Sequence, residues 1–278
     1  MFYVPDMYIE ELINDDLQFM DLTVLAMDIE KVPGLVECFP KQDCVLAGIE
    51  EAARCFEKAG AEAEITLPSG SRAADGQVCL RARGTAGAIH AVYKTAQNVM
   101  EYSSAIATRT ATMLERAKKV NSAIRICVTR KHFPGGKLLS LKAALAGGAS
   151  PHRLGLSDSV LVFDQHRCFV DDFVKVLPLM RERLPEKLIA VEAGSPEEGL
   201  SFVRAGADII QCERFSAAEL AQFVRAAREA NALVRVTIAG GVNADNAAEF
   251  AAAGIDAIVT SWPYFGKPQD IKMKISRA

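Results

Sequence analysis

The sequence lacks any apolar run that approaches the roughly 20 residues needed to span a membrane. Its acidic first segment, Met1–Glu11, lacks the basic region of a secretory signal, so we expect a cytoplasmic location. It also lacks an excess of basic residues, because 32 Lys and Arg stand against 35 Asp and Glu, a formal net charge of -3. Binding to nucleic acid usually requires a basic surface. We therefore expect neither a nucleic acid nor a membrane as a partner, and small molecules as substrates.

Paired cysteines are also absent. The seven cysteines include no Cys-x-x-Cys motif, and their odd number and apolar neighbours favour reduced, packed thiols over a disulfide framework or a zinc site. No nucleophile elbow, P-loop or dinucleotide-binding fingerprint occurs, and the histidines show no metal-ligand spacing. These absences argue against enzymes that depend on a nucleophile elbow, a P-loop or a dinucleotide-binding fingerprint.

Up to Thr108 the chain mixes helical and strand patterns. Periodicity predicts helices over Asp6–Leu17, Val45–Gly60 and Thr85–Thr108, and strands over Glu64–Leu67 and Gln77–Ala82. We expect residues 1–108 to form an N-terminal α+β domain, with the polar tail 266–278 as a candidate to pack on it.

Beyond Ser122 strands and helices alternate regularly, as in a βα repeat. The predicted strands are Ile124–Thr129, Val160–Phe163, Leu188–Ala193, Asp208–Cys212, Val234–Ala239 and Ala257–Thr260. The predicted helices are Gly136–Ala146, Pro196–Ala205, Ala217–Ala230 and Ala244–Ala253. This alternation implies a parallel sheet, and six units are too few for a complete eightfold barrel. The expected fold class is therefore α/β, with an open, incomplete α/β barrel over residues 109–265.

Charged residues and glycines follow these strands. Thr129-Arg130-Lys131, Glu192, Glu213 and Gly240-Gly241 each lie at the end of a different strand. Because the carboxyl ends of parallel barrel strands share one face, we expect these residues to converge. Cations suit phosphate or carboxylate groups, carboxylates suit ribose hydroxyls or Mg²⁺ waters, and a Gly-Gly turn suits a phosphate. A Glu inside an apolar strand, as at Glu192, is costly unless it faces a polar cavity.

The sequence resembles the quinolinate phosphoribosyltransferase family (nicotinate-nucleotide pyrophosphorylases) over nearly its whole length. The matching segments are Asp21-Leu22-Thr23, Val45-Leu46-Ala47-Gly48, Asp75-Gly76, Asn98, Ser104-Ala105-Ile106-Ala107-Thr108, Thr129-Arg130-Lys131, Gly147-Gly148, His152-Arg153, Leu156, Asp158, Val191-Glu192, Gly206-Ala207-Asp208-Ile209-Ile210 and Gly240-Gly241. The resemblance implies an N-terminal α+β sandwich, an open barrel, and a homodimer or higher assembly with shared active sites. It also implies transfer of phosphoribosyl from phosphoribosyl pyrophosphate with Mg²⁺ to a pyridine carboxylate, with release of pyrophosphate and, for quinolinate, of CO₂.

Several positions depart from the family pattern. This chain has Lys94 where the family has an Arg, Phe163 where it has a Lys, and Glu213-Arg214 where it has Asp-Asn. It has Ala239 where the family has a Ser, and Ser261 and Phe265 where the family has a Gly and a His. The changes at Lys94 and Phe163 replace cations with which the family holds the dicarboxylate. A charge-assisted contact contributes roughly 1.5–3 kcal/mol to the free energy of binding. Quinolinate is therefore expected to bind poorly. The departures match the ModD branch of pyrophosphorylases, which is named for its association with molybdenum-uptake genes.

The resemblance implies roles for these residues. An acceptor carboxylate would be held by Arg130, His152 and Arg153, and Lys94 of a partner subunit would close the site. Lys131 would contact pyrophosphate or the acceptor, while Glu192 and Glu213 would hold ribose hydroxyls and Mg²⁺ waters. Gly240 and Gly241 would cradle the 5′-phosphate, and the substrate-binding set would be completed by Thr129, Phe163, Ala239 and Ser261. Lys131, Glu192 and Glu213 are thus the catalytic candidates, and no residue is expected to bind the metal directly.

Three alternatives to a transferase acting on a (hetero)aromatic acid other than quinolinate stay open. The first is an authentic carboxylating quinolinate phosphoribosyltransferase of NAD synthesis with a repacked pocket. The second is a non-catalytic anion-sensing protein, against which the retention of Lys131, Glu192 and Glu213 argues. The third is a generic phosphosugar isomerase or lyase, which leaves the N-terminal domain unexplained.

Overall fold

Alternating strands and helices occupy most of the computed structural model, which describes residues 2–278. The strands are β1 (Pro33–Pro40), β2 (Cys44–Val45), β3 (Glu62–Ile65), β4 (Arg72–Ala73), β5 (Leu80–Thr85), β6 (Arg125–Val128), β7 (Ser150–Pro151), β8 (Val160–Val162), β9 (Ile189–Ala193), β10 (Ile209–Glu213), β11 (Arg235–Ala239), β12 (Ala257–Thr260) and β13 (Ile271–Arg277). The helices are α1 (Asp6–Leu17), α2 (Leu22–Ala26), α3 (Ile49–Lys58), α4 (Ala86–Lys118), α5 (Lys137–Ala146), α6 (Asp164–Arg167), α7 (Phe173–Arg183), α8 (Pro196–Arg204), α9 (Ala217–Ala230) and α10 (Ala247–Ala252). Within residues 2–278 we find no helix long and apolar enough to cross a membrane.

The first of two compact units is built on an antiparallel sheet. Among the described residues it comprises 2–111, 133–148 and 264–278, and its four strands run in the order β13-β1-β5-β3. Strand β1 buries alternate side chains, and its core neighbours include the fully buried Phe56, Leu80 and Ile89. The carboxyl-terminal segment therefore completes this sheet as an edge strand paired with β1.

The second unit comprises residues 112–132 and 149–263. Its seven strands are all parallel and run in the order β7-β6-β12-β11-β10-β9-β8. The last strand of the repeat, β12, pairs with the first, β6, whereas no pairing joins β7 to β8 among the described residues. The sheet is thus a barrel that is open between β7 and β8.

The predicted fold class is confirmed, and each of the six predicted barrel strands is present with ends within two residues of the prediction. The two-residue strand β7 adds a seventh strand that the prediction lacked. Helix α4 continues to Lys118 instead of ending at Thr108, because no Gly or Pro interrupts it there. The division near Thr108 into residues 1–108 and 109–265 stays a prediction, since compactness alone does not define a domain; Met1 lies outside the described residues.

Side chains from neighbouring strands form layers inside the open barrel. Glu192 of β9 lies in register with Gln211 of β10, which lies in register with Thr237 of β11. Because side chains alternate between the two faces of a strand, Glu213 and Ala239 form the next layer towards the carboxyl edge. This alternation places polar groups beneath the loops that follow the strands.

Candidate active site

A cavity of about 690 Å³ opens at the carboxyl ends of the barrel strands. All of its lining residues belong to the second unit. They are Thr129, Arg130, Lys131, His152, Arg153, Leu161, Phe163, Glu192, Gln211, Glu213, Arg214, Ala239, Gly240, Gly241, Val242, Asn243, Val259, Thr260, Ser261 and Trp262. This is the face on which barrel enzymes carry their active sites.

Cationic side chains line the part of the cavity that follows β6 and β7. The backbone after β6 is fixed by a hydrogen bond from the Thr129 N–H to the Thr260 carbonyl, 3.0 Å, and the Lys131 N–H donates to Thr129 Oγ1 at 3.1 Å. The His152 N–H donates to the Val128 carbonyl at 2.9 Å, which ties β7 to β6. Paired parallel strands thus bring Arg130 and Lys131 beside His152 and Arg153.

The basic side chains of His152 and Arg153 differ in charge state. Burial lowers the pKa of His152, and the adjacent Arg153 lowers it further, so the imidazole is neutral at pH 7. Burial and the nearby Arg130 also lower the pKa of Arg153, yet a guanidinium stays protonated. At pH 7 His152-Arg153 therefore supplies one cation and one neutral hydrogen-bonding ring.

Phe163 presents an aromatic face beside these cations. Its ring centroid lies 5.4 Å from Arg153 Cζ, a cation–π arrangement, and 5.7 Å from the stacked ring of His166. The Phe163 N–H donates to His166 Nδ1 at 3.0 Å, which fixes the start of α6. Phe163 is thereby held at the end of β8, next to the place where a planar acid would meet Arg153.

Two carboxylates line the opposite part of the cavity. Gln211 Nε2 donates to Glu192 Oε2 at 3.0 Å across β10 and β9. Burial raises the pKa of Glu192 and the neighbouring Glu213 carboxylate raises it further, while the hydrogen bond from Gln211 acts in the opposite direction. Gln211 Oε1 and Thr237 Oγ1 are buried and have no hydrogen-bond partner among residues 2–278. Unused hydrogen-bonding capacity therefore lies at Gln211, which lines the cavity, and at Thr237, its neighbour in register on β11.

A glycine turn follows β11 at the rim of the cavity. Gly240 and Gly241 have positive φ angles of 88° and 76°, a conformation that favours glycine. A Cβ atom on Gly240 would lie 2.6 Å from Arg214 Cγ and 2.7 Å from Glu213 Oε1, whereas a Cβ on Gly241 would meet nothing within 4 Å. Thr260 Oγ1 donates to the Val242 carbonyl at 2.8 Å and holds the turn against β12.

The structure brings together all the sequence-predicted site residues except Lys94. Lys131, Glu192, Glu213, Thr129, Arg130, His152, Arg153, Phe163, Ala239, Gly240, Gly241 and Ser261 all line the cavity. Lys94 lies on α4 in the first unit, where its Nζ donates to Gln97 Oε1 at 3.0 Å. The roles assigned to these residues stay predictions.

Sequence reasoning missed Gln211 and Trp262. Gln211 carried the same signal that singled out Glu192, a polar side chain inside an apolar strand. Trp262 has no such signal, because its place depends on the short 3₁₀ helix that follows β12. Among residues 2–278 no cluster of three or more His, Cys, Asp or Glu side chains is arranged to hold a metal ion.

Comparison with known proteins identifies the family. The sequence profile of the quinolinate phosphoribosyl transferase N-terminal domain matches residues 21–104, and that of the C-terminal domain matches residues 106–274. The chain belongs to the quinolinate phosphoribosyl transferase family, a family of pentosyltransferases.

Named relatives fall into two groups. A Pasteurella multocida protein named "Putative pyrophosphorylase ModD" is 32% identical over 281 residues, covering 100% of this chain and 99% of the relative. An Archaeoglobus fulgidus protein named "Probable nicotinate-nucleotide pyrophosphorylase (carboxylating)" is 32% identical over 249 residues, covering 88% of this chain and 94% of the relative. The resemblance drawn from the sequence motifs is therefore confirmed, including its link to the ModD branch.

A solved structure supports the fold. The crystal structure of NadC from Streptococcus pyogenes superimposes with a TM-score of 0.90 at 24% sequence identity, covering 98% of this chain and 96% of that one. The likeness establishes a shared fold.

Proposed function

We propose that this protein transfers the phosphoribosyl group of phosphoribosyl pyrophosphate to the ring nitrogen of a (hetero)aromatic acid other than quinolinate. The observation that carries the proposal is the arrangement of charge in one cavity. Arg130, Lys131 and Arg153 line one part of it, and Glu192 and Glu213 line another, beside the Gly240-Gly241 turn. Such a cavity suits a substrate that has anionic groups at its ends and develops positive charge between them.

The acceptor would bind next to β6, β7 and β8. Arg130 and Arg153 would hold its carboxylate through charge-assisted hydrogen bonds, and the neutral His152 would add an uncharged one. The aromatic face of Phe163, already beside Arg153, would lie against the ring. Since Phe163 supplies no charge for a second carboxylate, the proposal favours an acid with one carboxylate at this position.

The phosphoribosyl group would bind next to β9, β10 and β11. Glu192 and Glu213 would accept hydrogen bonds from the ribose hydroxyls and stabilise the cationic sugar in the transition state, while Gly240 and Gly241 would approach the 5′-phosphate. Lys131 would bind the departing pyrophosphate. The bond from C1 to the pyrophosphate oxygen breaks, and the ring nitrogen forms the new bond with its own lone pair, so no general base is required.

Mg²⁺ is the metal that this reaction implies. The residues fit it, because Glu192 and Glu213 are close enough for their charges to interact, and Mg²⁺ is commonly held by one or two carboxylates together with waters and substrate phosphates. The two carboxylates would hold its waters. When bound with the phosphates, the ion supplies neutralisation of the charge on pyrophosphate.

The proposal extends to assembly and location. A homodimer, or a higher homo-oligomer, would bring Lys94 of a partner subunit to the cavity and complete a shared active site. A cytoplasmic location is supported by the free state of the seven cysteines, five of which are buried. Small-molecule substrates are the expected ligands.

The decisive experiment measures pyrophosphate release from phosphoribosyl pyrophosphate and Mg²⁺ across pyridine, pyrimidine and pterin-like acids, including quinolinate. We expect release with one acceptor class, loss of it in Lys131→Ala, and no loss in Lys119→Ala, which changes an exposed lysine just after α4. A protein that neither binds phosphoribosyl pyrophosphate nor releases pyrophosphate would contradict the proposal. Direct binding of an oxyanion such as molybdate without turnover would favour an anion sensor instead.

Authentic carboxylating quinolinate phosphoribosyltransferase activity is the second candidate. It is favoured by the retained Arg130, His152 and Arg153 and by the similarity to the Archaeoglobus protein. Complementation of a strain that lacks this activity would support the second candidate, and its failure alongside pyrophosphate release with another acid would support the first.

A further inference from the structure

The residue after β10, Arg214, has an unusual backbone conformation. Its φ angle is 58°, and only Gln18 and Asp28 share a positive φ among the non-glycine residues described. The conformation is fixed by a hydrogen bond from the Arg214 N–H to the Ala239 carbonyl, 2.9 Å. Left-handed backbone is tolerated by Gly, Asn and Asp and costs more for a long side chain. A strained arginine at the rim of a candidate active site calls for a functional explanation.

The side chain of Arg214 lies against Gly240, the first residue of the Gly240-Gly241 turn. Its Cγ occupies the position next to Gly240 that a Cβ atom would need. Its nearest charged partner is Glu213, with 3.4 Å between Arg214 Nε and Glu213 Oε1, which is longer than the usual charge-assisted hydrogen bond. The side chain is 82% exposed, so its packing alone does not offset the backbone strain. Most of the guanidinium donors thus remain available at the cavity rim.

The turn beside Arg214 offers donors of its own. Among residues 2–278, neither the Gly241 nor the Val242 backbone N–H donates a hydrogen bond. Open space adjoins Gly241, because a Cβ there would meet nothing within 4 Å. Free backbone N–H groups in a glycine turn, with a guanidinium beside the turn, are the kind of donors that bind a phosphate monoester.

We infer that Arg214 is a substrate-binding residue that clamps the 5′-phosphate of the phosphoribosyl group against the Gly240-Gly241 turn. The inference rests on the proposed function and adds to it a specific cation for this phosphate. Lys131, which follows β6, would remain the cation for pyrophosphate. The two phosphate groups of the substrate would therefore depend on different side chains.

The test compares wild-type protein with Arg214→Asn and Arg214→Lys by calorimetric titration with ribose 5-phosphate, pyrophosphate and phosphoribosyl pyrophosphate. In Arg214→Asn we expect ribose 5-phosphate to bind at least about tenfold more weakly, pyrophosphate to bind within about twofold of wild type, and the melting temperature to be equal or higher, since Asn accepts the left-handed conformation. Arg214→Lys keeps the charge and is expected to lose less. Arg204→Asn, which removes an exposed arginine from α8, controls for the change in net charge.

The outcomes separate the inference from the proposed function. Equal ribose 5-phosphate binding by wild type and Arg214→Asn overturns the inference alone, as does a loss confined to pyrophosphate. An Arg214→Asn protein that melts at a lower temperature and loses all three ligands alike assigns Arg214 a structural role and also overturns it. Wild-type protein that binds none of the three ligands overturns the proposed function and the inference with it.

Discussion

Gln211 donates a hydrogen bond of 3.0 Å from Nε2 to Glu192 Oε2, and this bond links two side chains in register on neighbouring parallel strands. The carboxylate needs this donor, because burial and the charge of Glu213 both raise the pKa of Glu192. Gln211 itself is 4% exposed and has little freedom to turn away. The amide therefore acts as a fixed support for the charged form of Glu192.

Replacing Gln211 by Met is expected to shift the pH dependence of activity. Loss of the hydrogen bond raises the pKa of Glu192 further, and the proposed reaction needs the ionised carboxylate. As the pH falls, activity is then lost at a higher pH than in wild type, by roughly one pH unit. The acid limb of the kcat/KM profile measures this shift. The control Gln222→Met, on the exposed side of α9, is expected to leave the acid limb in place. An unshifted acid limb in Gln211→Met would contradict the prediction.

Substitutions at the two turn glycines are expected to differ although both have positive φ. Gly241→Ala costs roughly 1–2 kcal/mol, the penalty for a left-handed non-glycine residue. Gly240→Ala carries the same penalty and also places a Cβ 2.6 Å from Arg214 Cγ and 2.7 Å from Glu213 Oε1, so it is expected to destabilise the protein more. Urea-induced unfolding of the two variants measures the difference, and equal losses would show that the contact relaxes freely.

Replacing Phe163 by Lys is expected to improve the binding of pyridine-2,3-dicarboxylate. The change removes an apolar ring from the cavity and adds a cation next to Arg153. A charge-assisted hydrogen bond of roughly 1.5–3 kcal/mol corresponds to a gain of about tenfold or more in affinity. Calorimetric titration measures it, and Phe163→Met controls for loss of the ring. Unchanged affinity in Phe163→Lys would mean that Phe163 does not set the preference against the second carboxylate.

A buried ion cluster in the first unit is expected to matter for stability. Lys142 Nζ lies 2.8 Å from Glu50 Oε2 and 2.7 Å from Glu51 Oε1, and the Glu51 side chain is only 2% exposed. Lys142→Met leaves the buried Glu51 carboxylate without its ion-pair partner, and losing one partner of a buried pair costs roughly 3–5 kcal/mol. Urea-induced unfolding tests this, with Lys58→Met as the control that should change little, because the partners of Lys58, Asp6 and Glu10, are 69% and 55% exposed. A loss no larger than the control's would show that water replaces the lysine.

The barrel was predictable from the sequence because its strands carry local signals. Short β-branched runs alternate with amphipathic helices, and the joints Gly206-Ala207-Asp208 and Gly254-Ile255-Asp256 precede β10 and β12. Strands β1 and β13 were missed because they carry no comparable local signal. Only Ile271 of β13 is buried, so its extended state depends on pairing with β1 far away in the sequence. Helix α7 was missed because Pro178 within it reads as a helix breaker.

The site was predictable to the extent that its residues follow strands. Parallel pairing brings every such residue to one edge, which is why Arg130, Glu192 and Gly240 were found without a structure. The charge state of His152 was not predictable, since it depends on burial and on the approach of Arg153. The contact between Arg214 and Gly240 was equally hidden, because it depends on backbone angles that no residue pattern encodes.

The opening of the barrel between β7 and β8 bears on the order in which it assembles. From β8 to β12 each strand pairs with the next along the chain, so these five can zip up sequentially with small loop-closure losses. Ile126 of β6 must instead find Ile258 of β12 after the whole intervening chain has been made. Such non-local pairings form slowly. We therefore expect β6, which leads into Arg130 and Lys131, to dock last, so that the chain acquires its anion-binding cations only in the final stage of folding.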